Sequence, residues 1–129
     1  DKESEEGMDI YGKIYDADGK RQISTFLINS YTTNDQKFPD VISIGNEFYV
    51  TWQSMPSSTF GIRAKGFSSD ANKKSGDLSV NTYITNDQRA PIISAFQDDT
   101  LLIAWESELQ DGSYYGVYGQ RYDKNMNKI

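Results

Sequence analysis

The sequence predicts an all-β fold of tandem four-stranded antiparallel repeats that resemble propeller blades. Hydrophobic residues occur in short runs separated by Gly, Asn, Asp and Ser turns, and no run has the periodicity of a helix. One segment also occurs twice, as NSYTTNDQKFP at 29–39 and as NTYITNDQRAP at 81–91. A four-stranded unit of about 50 residues is typical of a propeller blade, and a β-sandwich is the alternative fold.

Each unit is expected to contain four strands in the same order. The first strand follows the proline, where that residue loses no ladder hydrogen bond, and covers 41–44 and 93–96. The second strand is the most hydrophobic and has one apolar face that we predict to form the repeated core: Phe48, Val50, Trp52, Leu101, Ile103 and Trp105. The third and fourth strands are predicted at 10–15, 62–67 and 117–122, and at 25–29 and 78–81.

Two patterns favour sheets that stack face to face. The third strand keeps a small residue at one position, as Gly12, Ala64 and Gly119, which predicts close approach by a neighbouring sheet. The second strand is apolar on both faces in its second copy, which favours a sheet that is covered on both sides.

The repeat divides the chain into a partial unit at 1–38, a full unit at 39–90 and a partial unit at 91–129. Partial units leave strand edges and apolar sheet faces uncovered, which invites pairing with other chains. We therefore expect a section of a longer polypeptide, or closure of the sheets against other copies in a ring or a filament. The triplets at 34–36 and 86–88 are predicted to be turns between units, because Asn and Asp tolerate left-handed backbone geometry.

The composition excludes several classes of function. The chain of 129 residues carries a formal net charge of −6 and contains neither Cys nor His. It lacks the Lys/Arg footprint that replaces phosphate counterions, and no apolar run reaches the roughly 20 residues of a spanning helix, so we expect neither a nucleic-acid partner nor membrane insertion. Thiol nucleophiles, His-based triads and Cys/His zinc sites are excluded. We predict no catalytic residues and no enzyme activity, with a hydrolase whose catalytic loops lie elsewhere as an alternative.

Two sets of residues are candidates for ligand binding. Lys37 and Arg89 follow the repeated triplet at matching positions, which would give a binding site one cation per unit. Tyr114 and Tyr115 lie beside Gly112 in a predicted loop, where binding residues concentrate, and would suit a glycan. The alternative for the repeated triplet itself is purely structural turn chemistry.

The acidic turns allow two interpretations. Asp16 and Asp18, and Asp123 and Asn125, alternate as in the first part of a calcium loop. They lack the distal bidentate Glu of a complete loop, and such sequences are also preferred in hairpin turns, so no cofactor is expected apart from a weak Ca²⁺ site. A further group of acids at 106–111 is interpreted as a solvated loop.

The segments YGVYGQRYDKNMNK, VNTYITNDQRAP and LLIAWESELQDGSYYG resemble the repeats of very large secreted or surface proteins of bacteria and ciliates. The resemblance covers nearly the whole chain, although the middle copy has Arg63 where Tyr11 and Tyr118 stand. It implies a propeller-like, non-catalytic β array outside the cell or at its surface, with a structural or adhesive role. The partners would be further repeats of the same polypeptide or other copies of the chain. A carbohydrate-binding, lectin-like module with glycan partners is the alternative.

Overall fold

Three antiparallel β-sheets follow one another along the chain in the computed structural model, which describes residues 7–129. Sheet 1 contains β1 (Tyr11–Tyr15) and β2 (Arg21–Leu27). Sheet 2 contains β3 (Gln36–Ile44), β4 (Glu47–Ser54), β5 (Gly61–Ser68) and β6 (Leu78–Ser79). Sheet 3 contains β7 (Gln88–Ala95), β8 (Leu101–Glu108) and β9 (Tyr115–Tyr122). The predicted all-β, antiparallel class is confirmed, and the described residues include no helix able to cross a membrane.

The three sheets stack face to face through two hydrophobic clusters. We call the face of each sheet that carries β1 residue Tyr11, β4 residue Trp52 or β8 residue Trp105 its front face, and the opposite face its rear face. The rear of sheet 1 packs on the front of sheet 2 through a cluster formed by Ile10, Ile28, Val50, Trp52 and Phe67. The rear of sheet 2 packs on the front of sheet 3 through a second cluster that includes Tyr49, Ile62, Ala64, Ile93, Leu101, Ile103, Trp105 and Tyr122. Sheet 2 is therefore covered on both faces.

The predicted core side chains lie in these two clusters. Trp52, Leu101 and Ile103 are fully buried, and Val50 and Trp105 are nearly so. Phe48 is half-buried and stacks on Phe67 with 5.1 Å between the ring centroids. The strand alternation read from the sequence thus places these residues on one face, as the register of β4 with β5 requires.

The first strand of the units begins earlier than predicted. β3 and β7 start at Gln36 and Gln88 and contain a β-bulge just before the proline, where Phe38 and Ala90 both have a φ of 51°. A bulge removes residues from the hydrogen-bonding ladder, so a proline is tolerated there inside a strand. The prediction that the strand starts after the proline is wrong for this reason.

The small residues of the third strand are crowded from within their own sheet. A Cβ at Gly12 would lie 2.9 Å from the ring of Phe26, its partner across the β1–β2 pair. A Cβ at Gly119 would lie 3.2 Å from the side chain of Leu102 on the adjoining strand. The nearest atoms at these two glycines therefore belong to their own sheets, whereas Ala64 is fully buried in the cluster between sheets 2 and 3.

The repeated polar segment forms matching hydrogen bonds at its two occurrences. Asn29 Oδ1 accepts the backbone N–H of Ile10 at 2.7 Å, and Asn81 Oδ1 accepts that of Ile62 at 2.7 Å. Each asparagine also donates from Nδ2 to the carbonyl oxygen two residues further on. The side-chain amides of Asn29 and Asn81 therefore hold the segment that follows the fourth strand against the start of the third strand.

The Asn-Asp-Gln triplet is only in part a turn. Asn34 and Asn86 are left-handed, with φ of 59° and 60°, as expected. Gln36 and Gln88 are instead buried strand residues, and each donates from Nε2 to the carbonyl oxygen three residues earlier at 3.3 Å. The prediction that the whole triplet is a turn is wrong. The glutamine belongs to the strand, and its side-chain amide donates a hydrogen bond back to the turn that precedes it.

A buried ion pair joins sheets 1 and 2. The Nζ atom of Lys65 lies 2.6 Å from Asp77 Oδ1 and also donates to the Ile28 carbonyl oxygen at 2.9 Å. Burial alone would raise the pKa of Asp77, but hydrogen bonds from Lys65 and from the amides of Ser30 and Tyr31 outweigh it and lower the pKa below its usual value. The pair replaces water around both charges with protein hydrogen bonds.

Candidate functional site: a cleft between two sheets

A cleft of about 710 Å³ opens between sheets 2 and 3, at the end where β3 and β7 begin. Its rim carries Phe38 and Ile92, which are 64 % and 61 % exposed. Phe60, just before β5, and Gln53, near the end of β4, line it from sheet 2. Both bulges contribute to its lining, through residues 38–39 and 90–91, which lie outside the ladder while the strands pair on either side of them.

Arg89 is the one cationic residue among those that line this cleft within residues 7–129, and it projects from the rear face of sheet 3, where it pairs with Glu106. Its guanidinium carbon lies 3.6 Å from the centroid of the Tyr115 ring, and its Nε donates to Glu106 Oε2 at 3.0 Å. Both members of the ion pair are more than 40 % exposed, so the pair contributes little to stability and stays open to solvent. The structure therefore brings together two predicted ligand-binding residues, Arg89 and Tyr115, on β7 and β9.

A similar pair lies one sheet earlier. Lys37 Nζ is 5.7 Å from the centroid of Phe60 and 2.6 Å from Asp35 Oδ2. The hydrogen bond from Lys37 lowers the pKa of Asp35 below its usual value. Lys37 also lines a smaller cleft of about 510 Å³ between sheets 1 and 2. A cation beside an aromatic ring thus occurs at both matching positions, although Lys37 contacts Phe60 and not a tyrosine.

The floor of the larger cleft is held by hydrogen bonds between the sheets. Asp40 Oδ2 accepts the N–H of Ile93 at 2.8 Å, and Gln53 Oε1 accepts that of Ala90 at 3.2 Å. These bonds fix the separation of the strands that line the cleft. A ligand would therefore meet a pre-formed surface of aromatic rings, one guanidinium and carboxylate oxygens, which suits a polar ligand with hydroxyl groups.

Tyr114 does not join this site. It is 84 % exposed and is the last residue of the β8–β9 connection, where its carbonyl oxygen accepts the N–H of Leu109 and its φ is 21°. The adjacent Tyr115 is the first residue of β9, where it faces Arg89. The two tyrosines were predicted as one loop site, and the structure separates them because the strand begins between them.

The candidate metal ligands are used to close turns. Asp16 Oδ1 accepts the N–H groups of Asp18 and Lys20 at 3.1 Å and 2.8 Å. Asp123 Oδ1 accepts those of Asn125 and Asn127 at 2.8 Å and 2.9 Å, and the side chain of Asn127 lowers the pKa of Asp123. Within residues 7–129, no group of three or more acidic side chains is placed to hold a metal ion. Weak Ca²⁺ binding stays a prediction.

Sequence analysis missed Phe38, Phe60 and Glu106 as parts of the cleft. Glu106 and Glu108 belong to β8, so their interpretation as acids of a solvated loop is wrong. The signal for Phe60 was available, since Phe60 and Tyr115 each precede the glycine that starts the third-strand motif. Phe38 gave no such signal, because its matching residue is Ala90.

No protein-family model, curated protein sequence or solved structure matches this chain.

Proposed function

We propose that the chain is a non-catalytic structural or adhesive repeat segment of a larger extracellular or surface protein. Its three sheets are consecutive propeller-type blades, and the segment associates with further repeats or with other copies through the faces of its outer sheets. The observation that carries the proposal is the burial of sheet 2 on both faces by its neighbours.

The outer sheets each have one face without a neighbouring sheet among residues 7–129. The front of sheet 1 carries Tyr11 and Tyr15, which are more than half exposed. The rear of sheet 3 carries Val117 and Ile92, 79 % and 61 % exposed, with Ala104 opposite Ile92 and the carboxylate of Glu106 opposite Val117. Exposed apolar side chains grouped on a sheet face beside polar residues are typical of an interaction site.

The internal contacts supply a template for the association. In both of them the rear face of one sheet packs on the front face of the next. The rear of sheet 3 and the front of sheet 1 are therefore the two faces that can continue the same stacking between copies. Such a head-to-tail contact builds rings or open filaments.

Sedimentation velocity over a range of protein concentrations tests this role. The unchanged chain is expected to associate with rising concentration, and Val117→Lys is expected to weaken association by about tenfold, because it places a charge in the buried contact. Ile84→Lys is the matched control, since Ile84 is 77 % exposed in a loop between β6 and β7. A chain that stays monomeric at all concentrations, or equal effects of the two substitutions, would contradict the proposal.

The cleft between sheets 2 and 3 favours a second candidate function, carbohydrate binding. The Arg89–Tyr115 stack with Glu106 offers a flat aromatic and guanidinium surface beside a carboxylate oxygen, which suits sugar rings and their hydroxyl groups. A glycan array read with Arg89→Ala and Tyr115→Ala tests it, with Tyr114→Ala as the control outside the cleft. Binding that is lost with the first two variants and kept with the third would support a lectin-like role. Absence of reproducible glycan binding, or equal loss with Tyr114→Ala, would reject it.

A further inference from the structure

An apolar groove of about 290 Å³ runs between β1 and the front face of sheet 2. Residues 10–14 form one wall, and Val41, Phe48 and Val50 form the floor. Val41 is 61 % exposed although it projects from the same face as the buried Val50, its partner across β3 and β4. The groove therefore leaves open a part of the front face of sheet 2 that sheet 1 does not cover.

The wall of this groove is the edge of a strand and not a face. Five consecutive residues of the segment around β1 line it, whereas a face would contribute only alternate residues. Among residues 7–129, β1 pairs with β2 on one side only. The backbone N–H and C=O groups on its other side point toward the groove, where a further strand could pair with them.

In sheet 2, the strand edge that corresponds to the open edge of β1 is paired with another strand. The sequence around β5, GIRAKGF, matches DIYGKIY around β1, so β5 stands in sheet 2 where β1 stands in sheet 1. The corresponding edge of β5 is occupied by β4, with Thr51 opposite Ala64 and Tyr49 opposite Gly66. From that position Tyr49 packs against the front of sheet 3.

We propose that the groove accepts an extended strand with the alternating pattern of β4, which pairs antiparallel with β1 and covers the floor of the groove. The strand comes from another repeat unit, outside residues 7–129. By analogy with β4, it places a small polar residue opposite Gly12 and a large aromatic residue opposite Ile14, and its inward side chains contact Val41 and Phe48. Strand addition of this kind takes its affinity from main-chain hydrogen bonds and its specificity from alternate side chains.

The inference rests on the proposed stacking role, because it names the strand through which a further unit docks. The two are tested at different surfaces. Strand addition depends on the edge of β1 and on Val41, whereas face-to-face association depends on Val117, so failure of one leaves the other standing.

Hydrogen–deuterium exchange with a peptide probe tests the proposal on the 129-residue protein. The probe is a peptide of residues 47–54 with lysines added at both ends for solubility. Its addition is expected to slow exchange of the backbone amides within Tyr11–Tyr15 and to leave those of β9 unchanged. Val41→Glu is expected to weaken peptide binding by about tenfold or more, because it places a carboxylate in the apolar floor. Ile84→Glu, at an exposed loop position between β6 and β7 that lies outside both proposed contacts, is the matched control and should bind the peptide normally.

Three results would overturn the proposal. The first is protection, before peptide is added, of the β1 amides that point away from β2, which would mean that the chain covers this edge itself. The second is a peptide with proline in place of Val50 that binds as strongly as the unchanged peptide, because the N–H of Val50 points toward the partner strand in the β4–β5 pair and proline cannot donate that ladder hydrogen bond. The third is equal peptide affinity for Val41→Glu and the unchanged protein, with both shown by circular dichroism to be folded.

Discussion

Gln36 and Gln88 show how one residue type can have two environments at matching positions. Both are fully buried at the start of a strand. Gln36 Oε1 accepts the indole N–H of Trp52 at 3.1 Å, whereas Gln88 Oε1 and the indole nitrogen of Trp105 are buried without a hydrogen-bond partner among residues 7–129. The polar atoms are therefore better satisfied at the first position than at the second.

This difference predicts unequal effects of the same substitution. Gln36→Leu leaves the buried indole N–H of Trp52 unpaired, so it is expected to lower the free energy of unfolding by about 1–3 kcal/mol more than Gln88→Leu. Urea unfolding of the two variants, followed by circular dichroism, measures the difference. Equal losses, or a larger loss for Gln88→Leu, would contradict this assignment of the hydrogen bonds.

At the residue scale, the sequence predicted core positions better than polar contacts. Alternation along β4 and β8 was enough to select Trp52 and Trp105, because a strand has only two faces. The contact between Arg89 and Tyr115 could not be read in the same way, since it depends on which strands become neighbours at one end of the sheet. The bulge that exposes Phe38 also has no marker apart from the proline that follows it.

At the scale of elements, the β1–β2 pair depends on the absence of a side chain at Gly12. The ring of Phe26 lies where a Cβ would stand. Gly12→Ala is therefore expected to destabilise the protein by about 1–3 kcal/mol through overpacking. Gly76→Ala is the matched control, because a Cβ there meets no atom within 4 Å. Thermal unfolding of both variants checks the prediction, and a loss in Gly12→Ala no greater than in the control would contradict it.

The Lys65–Asp77 pair that joins sheets 1 and 2 makes stability depend on pH. Because the pKa of Asp77 is lowered in the folded chain, its contribution is present above the usual aspartate pKa of about 3.9 and is lost as pH falls below that value. Asp77→Asn leaves the Lys65 ammonium group buried without its counter-charge, so it is expected to cost about 3–5 kcal/mol at pH 7. The difference in free energy of unfolding between Asp77→Asn and the unchanged protein should become smaller as pH falls below about 4.

Urea unfolding at several pH values measures this effect. The matched control is Asp18→Asn, because Asp18 is exposed in a hairpin turn and its substitution should change stability by less than about 0.5 kcal/mol. A loss for Asp77→Asn that stays constant from pH 7 to pH 2 would contradict the assigned role of the ion pair.

The order of strands was predictable, but their limits were not. Each predicted strand has a counterpart among β1 to β9, because the hydrophobic runs are short and turns separate them. The starts of β3 and β7 were misplaced because the proline was taken as the boundary, although a bulge allows the ladder to continue on both sides of it. β6, at only two residues, is also shorter than its sequence pattern indicates.

At the scale of the whole molecule, face-to-face packing was expected because the second strand is apolar on both faces in its second copy, β8. The sheet that is covered on both faces is sheet 2, whereas in sheet 3 only the front face, with Leu101, Ile103 and Trp105, packs on a neighbouring sheet among residues 7–129. The cleft between sheets 2 and 3 was not predictable, because its lining residues come from several strands of two sheets and not from any one segment.

The central claim is that copies continue this stacking head to tail, with the rear of sheet 3 on the front of sheet 1. Because the chain contains no cysteine, single-cysteine variants can be joined selectively with a short bismaleimide linker. Tyr11→Cys and Val117→Cys place one thiol on each open face. A mixture of the two variants is expected to give cross-linked dimers in clear excess over either variant alone, and over Tyr11→Cys mixed with Ile84→Cys as a control. Equal yields in all four samples, or dimers formed best by one variant with itself, would contradict the claim.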